Sequence, residues 1–119
     1  MSLTERSFLM SISLPTLDVY MLAAALEGNP ADTPLLLDVR EDHEIAICAI
    51  PHHIHIPLAQ IPHAHEQLPK DRMIAVYCHH GRRSAMAVEY LQALGYQVCN
   101  ITGGIHAWAT HINPDMPTY

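Results

Sequence analysis

Met73-Ile74-Ala75-Val76-Tyr77-Cys78-His79-His80-Gly81-Arg82-Arg83-Ser84-Ala85-Met86-Ala87 is the stretch from which the fold can be read. An apolar run, Met73 to Tyr77, stops at a cysteine. A polar loop with glycine in its middle follows, and a helix-like segment begins at Ser84. The order is strand, tight loop, helix, with Cys78 at the strand's C-terminal end. In open α/β sheets, ligands collect at that end. A loop curled into a helix N-terminus turns its backbone N–H groups inward and forms an anion-binding nest. A sulfur in such a nest is held as thiolate. Arg82 and Arg83 add charge of the matching sign, and cationic neighbours with a helix N-terminus depress a cysteine pKa. Each unit of depression is about 1.4 kcal/mol in favour of the charged form.

Toward the N-terminus, Leu35-Leu36-Leu37-Asp38-Val39-Arg40 is a short continuous apolar run ending in charge, the pattern of a buried parallel strand. Its end is expected on the same face as that of the Cys78 strand. A charged Asp38 after a buried strand needs a partner, and Arg83 is the expected one, tied to Asp38 to hold the loop. Upstream, Phe8 to Ile12 reads as a short strand. Thr16 reads as the N-cap of a helix carrying Leu17, Tyr20, Met21, Ala24 and Ala25 at helical spacing, closed by Gly28. Asp42 to Ile47 is a short helix, and Leu58 to Leu68 a longer one with Leu58, Ile61, His65 and Leu68 on one face. Toward the C-terminus, Ser84 to Leu94 is the helix behind the loop, with Ala87, Val88, Leu91 and Leu94 as its buried stripe and Gly95 closing it. Val98 to Ile101 is a further strand. Strands alternating with helices over short connections imply an α/β fold: a mostly parallel central sheet with helices on both faces.

Cys78-His79-His80-Gly81-Arg82-Arg83-Ser84 matches Cys-x-x-Gly-x-Arg-Ser in full and resembles the active-site loop of the rhodanese family. Leu36-Leu37-Asp38-Val39-Arg40, continued by Glu41 and Glu44, is similar to the family's Leu-Ile-Asp-Val-Arg segment. Thr102-Gly103-Gly104-Ile105-His106-Ala107-Trp108 resembles its closing Gly-Gly-x-x-x-Trp. Ile50, Pro51, Ile54, Ile56 and Pro57 fit the intervening pattern, whereas Cys48, Ala49, His52 and His53 stand where Gly, His, Gly and Ala are usual. With two small residues replaced by histidine, either the local turn differs or the imidazoles point outward. The resemblance runs from about Ile12 to Tyr119 and implies a single rhodanese-like domain over residues 1–119.

The resemblance implies a sulfurtransferase without a cofactor. Cys78 attacks the outer sulfur of a donor such as thiosulfate, or of a donor-protein persulfide, and an acceptor thiol or cyanide takes the sulfur from the resulting persulfide. The N–H groups of residues 79 to 84 stabilise the sulfur anion. His79, His80 and Arg82 steer an anionic donor, with Gly81 and Ser84 completing the loop. One rival is phosphate-ester hydrolysis, but related phosphatases use Cys-x5-Arg, one residue longer, and the shorter loop suits sulfur. A second rival is a persulfide carrier or regulatory binding module with little small-molecule turnover.

The chain as a whole bounds these readings. Its 119 residues suit one domain. Twelve acidic against six basic residues, net charge −6, argue against nucleic acid or an anionic membrane as partner. Cys48, Cys78 and Cys99 have neither disulfide-framework nor zinc spacing, which suits a reducing compartment. No apolar run spans a membrane, no signal-peptide layout appears, and a cytoplasmic location is expected. Ten histidines are many, and His52, His53, His55, His63 and His65 crowd together. No ligand spacing recurs among them, so no metal is expected.

Overall fold

The computed structural model describes residues 14–119, so the expected strand Phe8 to Ile12 lies outside the described residues. Five strands form one sheet: β1 (Thr16–Leu17), β2 (Leu35–Asp38), β3 (His53–His55), β4 (Ile74–Tyr77) and β5 (Val98–Ile101), in the order β1-β5-β4-β2-β3. Every pairing is parallel. The helices are α1 (Val19–Glu27), α2 (Asp42–Ile45), α3 (Ile61–Ala64), α4 (Arg82–Ala93) and α5 (Gly104–His111). Strand β4 is central and buried at all four positions, which is why Ile74 to Tyr77 reads as unbroken apolar sequence.

Alternation along the strands divides the core into two layers. Leu37, Val39, Ile74, Val76 and Val98 face Ile61, Leu68 and the Ala87, Val88, Leu91 stripe of α4. Leu36, Ala75, Tyr77, Cys99 and Ile101 face Val19 and Leu22 of α1 and Ile105 and Trp108 of α5. The sheet is therefore covered on both faces, and each strand feeds its C-terminal end toward one rim. The ends of β2 and β4 stand side by side there, with Asp38 opposite Tyr77.

Several local expectations are corrected. Thr16 lies in β1, paired with Asn100, and the cap of α1 is Asp18, whose Oδ1 accepts from Met21 N at 2.8 Å. This shift rotates the helix: Val19 and Leu22 are buried, while Tyr20 and Met21 are exposed. Leu94, at the end of the α4 stripe, is also exposed. The Leu58–Leu68 segment breaks into a 3-10 turn, the short α3 and a second 3-10 turn. Pro62 sits in the first turn of α3, where it lacks the N–H that would continue a helix from Leu58. At the Pro51-His52 turn, His52 is exposed and takes φ +66°, a left-handed conformation that favours glycine.

Candidate active site

Cys78 follows the last residue of β4 and is 1% exposed. Gly81 takes φ +106°, which a side chain resists, and this turn starts α4 at Arg82. The loop wraps its donors around the sulfur. Sγ accepts from Gly81 N at 3.1 Å, Ser84 N at 3.4 Å and Ser84 Oγ at 3.3 Å. Burial pushes the Cys78 thiol up. The Ser84 hydroxyl and the N–H groups of Ser84, Gly81 and Arg83 outweigh burial and bring the thiol below its ordinary value.

Ser84 Oγ has one proton and two acceptors, because Asn100 Oδ1 lies 2.5 Å away. The amide orientation of Asn100 follows from its Nδ2, which donates to Gly81 O at 3.0 Å. Asn100 thus braces the loop from β5 and competes with the sulfur for the hydroxyl proton. The two N–H donors from Gly81 and Ser84 meet no such competition.

A second strand-to-helix turn supports the first. Gly103 and Gly104 both have positive φ and lead from β5 into α5. Ile105 N donates to Cys78 O at 2.8 Å and His106 N to His79 O at 3.0 Å. A Cβ at Gly104 would fall inside van der Waals contact with both those carbonyls. The Ile105 and His106 N–H groups at this turn therefore hold the cysteine loop.

The expected Asp38–Arg83 pair is not formed. Asp38 Oδ1 accepts from Arg40 N at 2.9 Å and Nε at 3.0 Å, and Oδ2 from Nη2 at 2.7 Å. Both side chains are fully buried, so each must find its counter-charge close by. Asp38 thereby braces the turn after β2, not the cysteine loop. Arg83 instead grips Glu44 of α2 with a two-pronged fork, Nη1 to Oε1 at 2.5 Å and Nη2 to Oε2 at 2.8 Å. That fork, with the Glu41 N–H and Tyr119, holds the Glu44 carboxyl far below the usual carboxylate range against its burial.

The remaining loop residues differ in exposure. His80 and Arg82 are exposed and His79 is half-buried. His79 stacks flat on Tyr119, centroids 3.9 Å apart at 9°. His80 lies 4.0 Å from His79 and 5.0 Å from His106 between centroids. Burial, with His80 next to it, pushes the His79 imidazole down, so it is neutral at neutral pH. The crowded histidines of residues 52 to 65 take separate tasks. His53 Nδ1 lies 2.9 Å from Ile50 O and His55 Nε2 2.6 Å from Arg40 O, while His65 Nδ1 meets Tyr96 OH at 2.9 Å. Among the described residues, no three His, Cys, Asp or Glu side chains converge to hold a metal. A hollow of about 470 Å³, lined by Leu26, Leu36 and Trp108 among others, lies toward the start of β2, away from Cys78.

Glu44, Asn100 and Tyr119 are support residues that sequence reasoning missed. The Glu41-x-x-Glu44 spacing is a signal for a capping box, which the structure contains. A polar Asn100 inside Val98-Cys99-Asn100-Ile101 is a second signal. Tyr119 has none.

The rhodanese-like domain family matches residues 19–111. The chain belongs to the rhodanese-like domain family. A sulfurtransferase from Allochromatium vinosum is 45% identical over 90 residues, covering 73% of this chain and 84% of that protein. An adenylyltransferase and sulfurtransferase uba4 from Ogataea parapolymorpha is 38% identical over 88 residues, covering 72% of this chain but 23% of the relative. Among solved structures, a rhodanese-related protein from Thermoplasma volcanium superposes with a TM-score of 0.76 at 32% identity, covering 84% of this chain and 95% of that one. Among the described residues, no helix is long and apolar enough to cross a membrane.

Proposed function

We propose that the protein is a rhodanese-type sulfurtransferase that carries sulfane sulfur on Cys78. The observation that carries the reading is the donor nest around Sγ, three hydrogen bonds from Gly81 and Ser84 to one buried sulfur. The Cys78 thiolate attacks the outer sulfur of thiosulfate. A new S–S bond forms to Cys78, the donor's S–S bond breaks, and sulfite leaves with the electron pair. A persulfide donor reacts in the same way and leaves as thiolate. In the second half, cyanide or an acceptor thiolate attacks the outer sulfur, and Cys78 departs as thiolate. No proton need move if the nucleophile is already ionised. The nest stabilises both the starting thiolate and the terminal persulfide anion.

Donor steering falls to Arg82 and His80, the exposed members of the loop, more than to His79, which is pushed toward its neutral form and stacked. The proposed setting is the cytoplasm, with a small anionic donor or a donor-protein persulfide, a thiol acceptor, and neither nucleic acid nor membrane as partner. Intact mass after incubation with thiosulfate, then with cyanide or a thiol, tests the reading. One added sulfur on the parent, removed by acceptor and never gained by Cys78→Ser, is expected. Loading of the Cys78→Ser variant would overturn the assignment. Slow turnover of free thiosulfate with efficient loading from a protein persulfide would identify a carrier.

A further inference from the structure

Tyr119 is far in sequence from every element of the loop, yet it touches two parts of its support. After α5 the chain turns back, with Asn113 N donating to Trp108 O at 2.9 Å and Met116 N to Asn113 O at 3.0 Å. This return brings the Tyr119 phenol between two charged groups of opposite sign. Its oxygen accepts from Arg40 Nη1 at 2.9 Å and its O–H donates to Glu44 Oε2 at 2.6 Å. The same carboxylate holds Arg83, and Arg40 holds Asp38. The result is a continuous line, Asp38–Arg40–Tyr119–Glu44–Arg83, of two carboxylates and two guanidinium groups joined by one neutral hydroxyl. The Tyr119 ring covers the half-buried His79 imidazole, the first residue after the cysteine.

We propose that Tyr119 is a positioning residue for the cysteine loop: its hydroxyl fixes the Glu44 carboxylate that grips Arg83, and its ring seats His79. The phenol is suited to the task because it both accepts and donates, which neither neighbour does. Burial and the bond to Glu44 push it up to about 12, so it remains protonated wherever a cysteine titrates. Without the hydroxyl, Arg40 Nη1 keeps only the distant Glu44 O at 3.4 Å, and Glu44 Oε2 keeps only Arg83. The fork then loses its outer stop, and the Arg83 N–H that faces Sγ is held less firmly.

The bearing on sulfur transfer rests on the function proposed above, but the test does not. Tyr119→Phe keeps the ring on His79 and removes only the hydroxyl. The rate of Cys78 alkylation against pH should show its inflection raised by about half a unit, which is about a threefold smaller thiolate fraction below it. A tail that merely adds stability would lower the melting temperature and leave the inflection in place; that result overturns the proposal. In a Glu44→Gln background, adding Tyr119→Phe should move the inflection no further, since the route runs through Glu44. An equal shift in both backgrounds would also overturn it. Alkylation requires no sulfur donor. If the parent takes no sulfur from thiosulfate or a persulfide, the proposed function fails while the role of Tyr119 is still decided by these shifts.

Discussion

Two cysteines, one inside β5 and one just past the end of the neighbouring β4, have nearly equal burial and opposite acidity. Cys99 lies inside β5 opposite Ala75 and is 3% exposed; burial pushes its thiol up to about 11. Cys78 is 1% exposed just beyond β4, and its thiol is lowered. Burial acts on both in the same direction. What differs is the end of the strand. Cys99 is followed by two more residues of ladder, whose N–H groups are committed to the sheet. Cys78 is followed by a left-handed glycine and the first turn of a helix, whose N–H groups have no carbonyl partners and turn to the sulfur. Thiolate character in this fold comes from where the strand stops, with no help from exposure.

The sharpest way to break the contrast is Gly104→Ala. Its Cβ would collide with Cys78 O and His79 O, and the position has φ +60°. The cysteine loop cannot then seat on α5. We expect a loss of about 3 kcal/mol or more, read as a fall in melting temperature of at least about 12 °C. A melt like the parent's would mean that the α5 contact does not hold the loop.

Glu44→Gln comes next. It takes the counter-charge from Arg83, but Arg83 is about one-third exposed, so solvent softens the cost to about 2 kcal/mol. The Glu44 pKa is depressed in the folded protein. Its contribution is therefore present above the unfolded carboxylate value, near ~4.3, and is lost as pH falls toward the folded one. The stability gap between parent and variant should be full at neutral pH and narrow in acid. Thermal melts across that range check this; a gap independent of pH would contradict it.

Ser84→Ala should have the smallest effect. The hydroxyl proton is contested by Asn100, so its removal leaves the backbone N–H donors in charge. The Cys78 alkylation inflection should rise by about half a unit, with a stability change under about 1 kcal/mol. A rise of two units would make the hydroxyl, and not the backbone, the principal stabiliser.

The fold was largely readable from sequence because the apolar runs around Leu36 and Val76 are short, unbroken and bounded by charge. The cysteine loop was readable because its residues are local: Cys78, Gly81 and Ser84 meet within one turn. The pairing of its arginine was not. Asp38 ends β2 and Glu44 lies just after it in α2, and choosing between them requires knowing that the buried Arg40 has already claimed Asp38. The Tyr119 contact joins residues 75 apart through a chain reversal that no local pattern announces.

Alkylation of the folded protein over a range of pH, with each cysteine followed separately by peptide mass, sets the two sulfurs against each other. Cys78 should react with a single inflection below the free-thiol value of ~8.5, while Cys99 stays unmodified at those pH values. An inflection for Cys78 at or above that value would contradict this, because the N–H nest would then fail to offset the burial of the sulfur.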